Sequence, residues 1–458
     1  MPDSGKNHPD IAAARIRLAE LDTLINSLIV ERQNLRDTLD AVIYPVSSLP
    51  PEILSHIFVR CLSSKRPAKH LAPLLLTQIC RLWREIALAT PELWQAVALN
   101  ARRDMVAHAH QNPERLLEMW LDRSATLPLT LSLGGLQSLV DMAMTHHDRW
   151  CEVTLESDAA ITEPEARGKV FSNLRVLELT DWSQDPHTVV IENAPVLKEV
   201  HFTVFSIENM NLRLPFAQIE KIGFQTFDNA ATCVPILLQC TNLVHIDTKT
   251  LVVQTMTDLF LDPHVTLDSV ESLNINYIGS TIVPHVTLPA LRQLTLSEEV
   301  DTAVGPFRAL SARSGCSLQE LTIIVDQHNY KMRSLHLTQF FEVFPSVTTL
   351  RLDFRDHALY RFINALSSAD ILPSMHTLTI DSVRERDDYD ILLDILRARS
   401  PAGNGTLVNL TLLLRSTAKS SSVDARGLPG FMMDHFRDIA AEGMRIQIFL
   451  DGTLLLDV

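Results

Sequence analysis

Two segments, LPPEIL at residues 49–54 and ICRLWREIA at residues 79–87, decide how the first part of this chain folds. In LPPEIL, proline stands where a helix can begin, because its missing N–H needs no partner there, and Glu52 follows at the positive end of the helix dipole. Large apolar residues then recur at three- and four-residue spacing. This spacing predicts a helix with one apolar face, formed by Ile53, Leu54, Ile57, Phe58 and Leu62.

A second helix is predicted after a basic, proline-containing loop at residues 63–70. Its apolar positions are Leu74, Leu75, Ile79, Leu82, Trp83 and Ile86. Two short helices cannot bury so wide an apolar face between themselves, so we predict that another protein covers part of it. An ordinary helical domain is the alternative, and it would require the apolar stripe but not the LPPE start or the CRLW ending.

Together with TPELW at residues 90–94, these segments resemble the F-box, in the form that is abundant among fungal F-box proteins. The resemblance implies a Skp-type adaptor as partner, a cullin scaffold behind it, and a role as substrate receptor of an SCF-type ubiquitin ligase. The loop with Lys65, Arg66, Lys69 and His70 is longer and more basic than in the compact motif. The adaptor-contacting positions of the family fall here on Leu49, Pro50, Ile53, Leu54, Ile57, Phe58, Ile79, Cys80 and Trp83.

A heptad pattern precedes this module, with apolar positions that alternate by three and four residues. The positions are Ile11, Ala14, Leu18, Leu21, Ile25, Leu28, Arg32, Leu35, Leu39 and Val42. Without proline or glycine in the run, the pattern predicts a coiled-coil helix of roughly 30 residues, about 45 Å long. A polar seam residue such as Arg32 usually sets register or oligomer state, which motivates a homodimer through residues 11–42. Packing of a single helix onto its own chain is the open alternative.

A short pattern, L-x-x-L-x-L with large apolar residues at its fixed positions, returns eleven times from Trp150 onward. The copies begin at residues 150, 174, 197, 219, 243, 270, 291, 318, 347, 375 and 407, about 26 residues apart. This spacing is within the period of leucine-rich repeats, roughly 20–29 residues. Helical patterns lie between several copies, at 234–239, 337–344, 359–366 and 389–397.

The second half therefore resembles the leucine-rich repeats that follow many F-boxes, which implies an α/β solenoid in the shape of a horseshoe. It departs from that family three residues beyond the last fixed position of the pattern, where the family has Asn or Cys. At this position the chain has Trp182, Phe205, Phe227 and Leu251. We expect an irregular solenoid in which apolar side chains fill this turn. A doubly wound α/β sheet is the alternative fold.

The expected substrate surface follows from the strand pattern, because residues that flank the buried pair point out of the sheet. These positions are polar and of mixed charge, which suits a protein or peptide partner. Plain solubility explains the same polarity equally well. The candidate substrate-binding residues are His245, Asp247, Lys249, Asn274, Asn276, Arg351 and Asp353.

Composition narrows the functional classes. The net charge of −15 disfavours binding to nucleic acid. The sequence contains no run of 18 apolar residues, which a membrane-spanning helix would require. The six cysteines have no paired spacing, so we expect reduced core thiols and a cytoplasmic or nuclear protein. No nucleophile, phosphate-binding or metal motif is present, and a hydrolase on an α/β sheet is disfavoured. We predict a non-catalytic protein that needs no metal or cofactor.

The predicted organisation is α+β or α/β with five segments. They are a disordered tail at 1–10, a coiled-coil helix at 11–43, an F-box at 44–99, a helical linker with a first strand at 100–148, and a leucine-rich-repeat-like solenoid at 149–458.

Overall fold

The chain forms two compact units, Met1–Trp94 and Gln95–Val458, which are described separately. The structure is a computed structural model. It describes residues 9–40, 49–100, 112–156, 159–181, 187–204, 207, 210–226, 233–249, 264–276, 282–297, 300–325, 334–354, 365–366, 368, 370–381, 386–403, 405–414, 430–450 and 452–458.

The first unit is helical. The long helix α1 spans Pro9–Asp40, so it begins two residues before the predicted coiled-coil helix at 11–43, inside the predicted tail at 1–10. Helices α2, Pro51–Arg60, and α3, Leu76–Ile79, follow, and α4 spans Arg81–Leu88. A short 3-10 helix, Pro91–Trp94, closes the unit. The second predicted helix is thus two helices, because Cys80 adopts an extended conformation between α3 and α4.

The second unit contains nineteen strands among the residues that the structure describes. They are β1 Ala96–Asn100, β2 Leu129–Gly134, β3 Trp150–Glu156, β4 Val176–Asp181, β5 His187–Val190, β6 Glu199–Val204, β7 Met210–Arg213, β8 Lys221–Thr226, β9 His245–Lys249, β10 Val265–Thr266, β11 Ser272–Asn276, β12 Val286–Thr287, β13 Gln293–Ser297, β14 Glu320–Val325, β15 Thr349–Phe354, β16 Thr377–Asp381, β17 Asn409–Leu414, β18 Arg445–Leu450 and β19 Thr453–Asp457.

One 15-stranded sheet holds most of these strands in their order along the chain. Neighbours are parallel from β1 to β18, and only β19 returns antiparallel to β18. Strands β5 with β7, and β10 with β12, form two small parallel sheets. A doubly wound sheet reverses its strand order at the point where ligands bind, and this sheet does not. The doubly wound alternative is therefore wrong.

All eleven predicted copies of the apolar pattern form strands of the large sheet, β3, β4, β6, β8, β9, β11 and β13–β17. The side chains at their fixed positions are buried, at 2% exposure or less, from Trp150 to Leu412. Register aligns them across neighbouring strands, as Ile246, Leu273 and Leu294 show. The core of this unit is thus a stack of apolar rows on one face of the sheet.

Two strands of the sheet precede residue 149, the predicted start of the solenoid, and one of them, β2, lies within the segment at 100–148 for which a first strand was predicted. Strands β1 and β2 pair in register with each other and with β3. In β2 only one residue separates Leu129 from Leu131, whereas the pattern has two residues between its first and second fixed positions. The register between β2 and β3 shifts at that point. The L-x-x-L-x-L spacing therefore does not mark this strand, and the connection between β1 and β2 carries α5, Pro113–Arg123.

Further helices connect the later strands. They are α6 Gln137–Ala143, α7 Glu163–Ala166, α8 Val234–Leu237, α9 Ile282–His285, α10 Val300–Ser314, α11 Ser334–Phe341, α12 Arg386–Arg399 and α13 Gly430–Ala441. Three of the four predicted helical segments coincide with α8, α11 and α12. The fourth, 359–366, lies mostly outside the described residues. Strands β5, β7, β10 and β12 replace helices in some connections, so the outer layer is irregular.

Polar side chains link successive repeats at a position that the sequence reading overlooked. The residue just before the first fixed position donates a hydrogen bond to a backbone carbonyl of the preceding repeat. The six donors are Asn173, Gln218, Asn242, Ser269, Ser346 and Thr406, and the donor–acceptor distances lie between 2.7 and 2.9 Å. They give these backbone carbonyl groups a hydrogen-bond partner on the next repeat. The predicted apolar filling at Trp182, Phe205, Phe227 and Leu251 lies outside the described residues.

Three arginines reinforce this ladder from the helical side. Arg149 donates to the carbonyl of Leu127 at 2.9 Å, and Arg313 donates to that of Val286 at 2.8 Å. Arg399 is 3% exposed and donates to the carbonyls of Leu366 and Ile371 at 2.7 and 2.6 Å. Burial lowers the pKa of Arg399 to about 10, so its side chain remains charged at neutral pH.

Candidate interaction surfaces

Helix α2 begins as its sequence predicts. Pro51 occupies the first turn, and the carbonyl of Pro50 accepts hydrogen bonds from the backbone N–H groups of Ile53 and Leu54 at 3.0 and 3.1 Å. Glu52 places a carboxylate in the first turn, where the helix dipole favours negative charge. The Leu-Pro-Pro-Glu start therefore fixes where the helix begins, and with it which residues face outward.

Leu54 and Phe58 form the interior of the module. Both are fully buried, and the ring of Phe58 lies 4.8 Å from that of Trp83, centroid to centroid. Trp94 is also buried and donates its indole N–H to the carbonyl of Ala87 at 2.9 Å. The sequence reading assigned Leu54 and Phe58 to the adaptor contact. The structure instead places them in the core, because their side of α2 faces the rest of the module.

Cys80 has a structural role that explains the Cys-Arg-x-Trp ending. It is the N-cap of α4, and its Sγ accepts the backbone N–H of Trp83 at 3.4 Å. Arg84 then donates to the carbonyl of Thr77 at 2.6 Å, which ties α4 to α3. Cys80 and Cys61 are exposed, so the prediction that all cysteines are core thiols is wrong for these two, although all six are free.

Besides Leu88 at the end of α4, six large apolar side chains are exposed between residues 49 and 94. They are Leu49, Ile53, Ile57, Leu75, Ile79 and Leu82, with exposed fractions between 36% and 51%. Ile53 and Ile57 lie one turn apart on α2, so their side chains share one face of the helix. We call these six residues the apolar docking surface. Of the nine predicted adaptor contacts, Leu49, Ile53, Ile57 and Ile79 belong to it, Pro50 and Cys80 are exposed beside it, and Trp83 is half-buried.

The second candidate surface is the face of the large sheet that is opposite to the apolar rows. His245 and Arg351 are exposed on it, and Asp247, Asn274 and Asp353 are half-buried. Asp247 and Asn274 are register partners on β9 and β11. The side chains of Lys249 and Asn276 lie outside the described residues, although both belong to described strands. We call this side of the sheet the polar strand face.

Arg351 has a partner that the sequence did not suggest. Its guanidinium lies 3.5 Å from a carboxylate oxygen of Asp381, whose side chain is 5% exposed. Asp381 is the register partner of Asp353, so two carboxylates and one guanidinium meet on β15 and β16. One oxygen of each of Asp247, Asn274 and Asp353 is buried without a hydrogen bond. The face therefore carries unused acceptors on β9, β11 and β15, and the acceptor on β15 shares its strand with the partly exposed guanidinium of Arg351.

Nearer the N-terminal end, the same face carries paired acids. Glu156 accepts hydrogen bonds from Asn100 and Ser132 at 2.5 and 3.1 Å. Burial by itself raises the pKa of Glu199, but the hydrogen bonds and positive charges of Lys221 and His201 outweigh burial and leave this pKa below its ordinary value. Lys221 lies 3.0 Å from Glu199. The face is thus polar and carries charges of both signs.

The described residues offer no group of three or more His, Cys, Asp or Glu side chains that could hold a metal ion. The thiol of Cys240 is buried, and burial raises its pKa to about 12, so it stays protonated at neutral pH. A protonated thiol is a poor nucleophile. Among the described helices, none is both long and apolar enough to cross a membrane.

The geometry of the first unit agrees with a family comparison. Residues 46–100 match the F-box-like family, so the chain contains an F-box-like domain that ends at strand β1. This match supports the assignment of the chain as an F-box protein and suggests that it binds the adaptor of an SCF-type complex. No curated protein shows significant similarity to the chain.

Proposed function

We propose that this chain is the substrate-recognition subunit of an SCF-type ubiquitin ligase, acting in the cytoplasm or the nucleus. The apolar docking surface carries the proposal, because a domain of the F-box-like family leaves Ile53, Ile57 and Ile79 unburied. In this role the chain is not itself an enzyme. It binds a Skp-type adaptor, reaches the cullin through it, and holds a protein substrate while other subunits transfer ubiquitin.

Affinity capture of the full-length protein tests the proposal. Adaptor and cullin should copurify with the wild type, and substrates should accumulate on a variant that cannot bind the adaptor. Absence of adaptor and cullin from the wild-type sample would contradict the proposal. Adaptor without any further captured protein would favour a scaffold that delivers no substrate.

The second unit, in this proposal, is a leucine-rich-repeat-like horseshoe. Three observations support it: the strands follow one another in chain order, their fixed apolar positions are buried, and polar side chains link six of the repeats to the previous one. A stack in which each repeat contacts its neighbours presents a long continuous strand face. The polar strand face would then be the inner curve, and the substrate would bind across β9, β11 and β15.

Arg351 provides the sharpest test of substrate binding. Arg351→Gln removes a guanidinium that is 45% exposed, and we expect about a tenfold loss of substrate capture, since a hydrogen-bonded charge contributes about 1.5–3 kcal/mol. Titration of a captured substrate measures the loss. The control is Arg397→Gln on α12, which is 49% exposed and also pairs with an aspartate. Equal substrate affinity for both variants would move the binding site off the polar strand face.

A second function, self-association, is favoured by helix α1. Every described side chain from residue 13 to residue 38 is exposed, including Leu21 and Leu28 of the predicted seam. None of them is buried against the other described residues of its own unit. We therefore propose that α1 forms a coiled coil with a second copy, whether or not a substrate is delivered.

Leu21→Asp with Leu28→Asp should convert this dimer to a monomer, because two carboxylates per chain would enter an apolar seam. Sedimentation of the full-length protein at micromolar concentration measures the change. Adaptor binding should be retained, since the apolar docking surface is on other helices. A wild type that is already monomeric would show that α1 does not self-associate.

A further inference from the structure

The orientation of the α1 pair follows from residues that flank the seam. In heptad notation, Leu18, Ile25 and Arg32 occupy position a, and Leu21, Leu28 and Leu35 occupy position d. The flanking e and g side chains lie beside the seam and contact the other helix, so their charges select the partner and its direction. All of these side chains are exposed on α1, and Arg17 pairs within the helix with Glu20 at 2.9 Å, an exposed contact that a second helix can replace.

A parallel, in-register pair places each g residue against the e residue five positions later on the other chain. Three such pairs lie wholly within the described side chains. Arg17 meets Asp22, Leu24 meets Ile29, and Glu31 meets Arg36. Two pairs are of opposite charge and one is apolar on both sides. Every contact is complementary, and each occurs twice in a symmetric dimer.

Other arrangements lose this complementarity. If the same seam is aligned antiparallel, e faces e and g faces g, which sets Arg15 against Arg36 and Leu24 against Glu31. A parallel pair that slips by one heptad sets Arg17 against Arg15 or Ile29. Like charges then face each other, or a charge faces an apolar side chain. Only the parallel, in-register pair satisfies all three flanking contacts.

Arg32 fits the same arrangement. At position a it lies beside Glu31 of the other helix, so each guanidinium can reach a carboxylate across the seam. In the single chain, the side chains of Glu31 and Arg32 are both exposed on α1. A polar seam residue costs stability but fixes register, because a slipped pair would bury it against leucine or isoleucine.

We propose that α1 joins two copies of this chain as a parallel, in-register coiled coil, held in that direction by the pairs Arg17–Asp22, Leu24–Ile29 and Glu31–Arg36. This inference rests on the self-association proposed above and adds its direction and register. The two copies of α1 then end together at Asp40, and ten residues separate Asp40 from Pro51. Ten residues span at most about 35 Å, so the two F-box-like domains follow the same end of the coiled coil.

The proposed assembly is thus a bivalent receptor. Two apolar docking surfaces and two polar strand faces belong to one particle, and both modules begin at one end of α1. A substrate or adaptor assembly that offers two binding sites would be held more tightly than one that offers a single site, because the second contact is intramolecular. An antiparallel pair would place the modules at opposite ends of a helix roughly 48 Å long.

A charge-swap experiment on the full-length chain tests the direction. The g variant combines Arg17→Glu with Glu31→Arg, and the e variant combines Asp22→Arg with Arg36→Glu. Each variant keeps the net charge of the wild type. In a parallel pair, each variant alone brings four like-charged contacts to its homodimer, and we expect association weakened about tenfold or more. Mixing the two variants restores all four contacts to opposite charge.

The expected result is that the two variants, one of them tagged, form a heterodimer with nearly the wild-type dissociation constant in sedimentation and pull-down. The control variant, Gln33→Glu with Asp37→Gln, moves a charge between outer positions of α1 and should dimerise as the wild type does. Gln33 and Asp37 are one turn apart and hydrogen-bonded at 2.8 Å, so the exchange preserves their contact.

The alternatives give different results. An antiparallel pair predicts that the e variant dimerises more tightly than the wild type, because Arg15 would then face a glutamate, and that mixing gives no rescue. Either of these results would overturn the parallel assignment while leaving self-association intact. A monomeric wild type would instead overturn self-association itself, and capture of the adaptor would still report separately on the F-box-like module.

Discussion

Ile53→Asp together with Ile57→Asp should abolish adaptor binding and leave the protein folded. Both side chains are exposed, at 46% and 40%, and they share one face of α2. Loss of a central interface side chain costs about 2 kcal/mol, which is about thirtyfold in affinity, and two losses multiply to about a thousandfold. A carboxylate forced into a dry interface adds a desolvation cost to each.

Stability should change little, because substitutions at exposed positions usually stay within about 0.5 kcal/mol. His56→Asp is the matched control, since it adds the same carboxylate to an exposed position of the same helix outside the apolar docking surface. Pull-down with a Skp-type adaptor and thermal unfolding measure the two properties. An adaptor that still binds the double variant would contradict the assignment of the apolar docking surface as the adaptor contact.

Phe58→Ala should fail in a different way, and the contrast separates surface from core. Phe58 is fully buried against Trp83, so its truncation leaves a cavity and should cost about 3–5 kcal/mol. We expect this variant to lose adaptor binding because the module unfolds. Circular dichroism and proteolysis would show the unfolding, whereas the double aspartate variant should resist both.

The second large effect concerns the sheet. Leu273→Ala should lower the free energy of unfolding by about 2–5 kcal/mol, because Leu273 is fully buried and its removal leaves a cavity. Its register partners Ile246 on β9 and Leu294 on β13 lose packing at the same point. Since each repeat is supported by its neighbours, the damage should extend to adjacent repeats.

Denaturant unfolding of the full-length protein measures this loss, and hydrogen exchange locates it. Ser272→Ala is the control, because Ser272 is on the same strand but points to the polar strand face, where truncation should change stability by no more than about 0.5 kcal/mol. Equal stability of the two variants would contradict the packing of the apolar rows.

Much of the fold could be predicted because its signals are local. The alternation of apolar and polar residues around Leu273 or Leu350 sets which face of a strand is buried, whatever the neighbouring strand is. The same holds for the start of α2, where Pro51 and Glu52 act within one turn. A first strand was predicted at 100–148, but β2 was not recognised as a copy of the repeat pattern, because one residue fewer separates Leu129 from Leu131 and only its pairing with β3 reveals the match.

The candidate sites were predicted less completely, because they depend on contacts between distant residues. Asp381 was not selected, since its approach to Arg351 joins strands thirty residues apart. The ladder that includes Asn242 and Ser269 links residues about 25 positions apart, and the expected ladder position after the strand gave no hint of it. Polar residues before a strand are too common for their role to be read from one repeat alone.

What the sequence by itself determined is the local periodicity: the heptads of α1, the start of α2, and the eleven strands with their buried faces. Only the tertiary structure decided which apolar side chains of α2 are exposed and which are buried. Ile53, Leu54, Ile57 and Phe58 are equally apolar and span one broad face, so their order cannot tell core from surface. The position of Trp83 against Phe58 turns Leu54 inward and leaves Ile53 and Ile57 exposed, because the small module has room to bury only one side of that face.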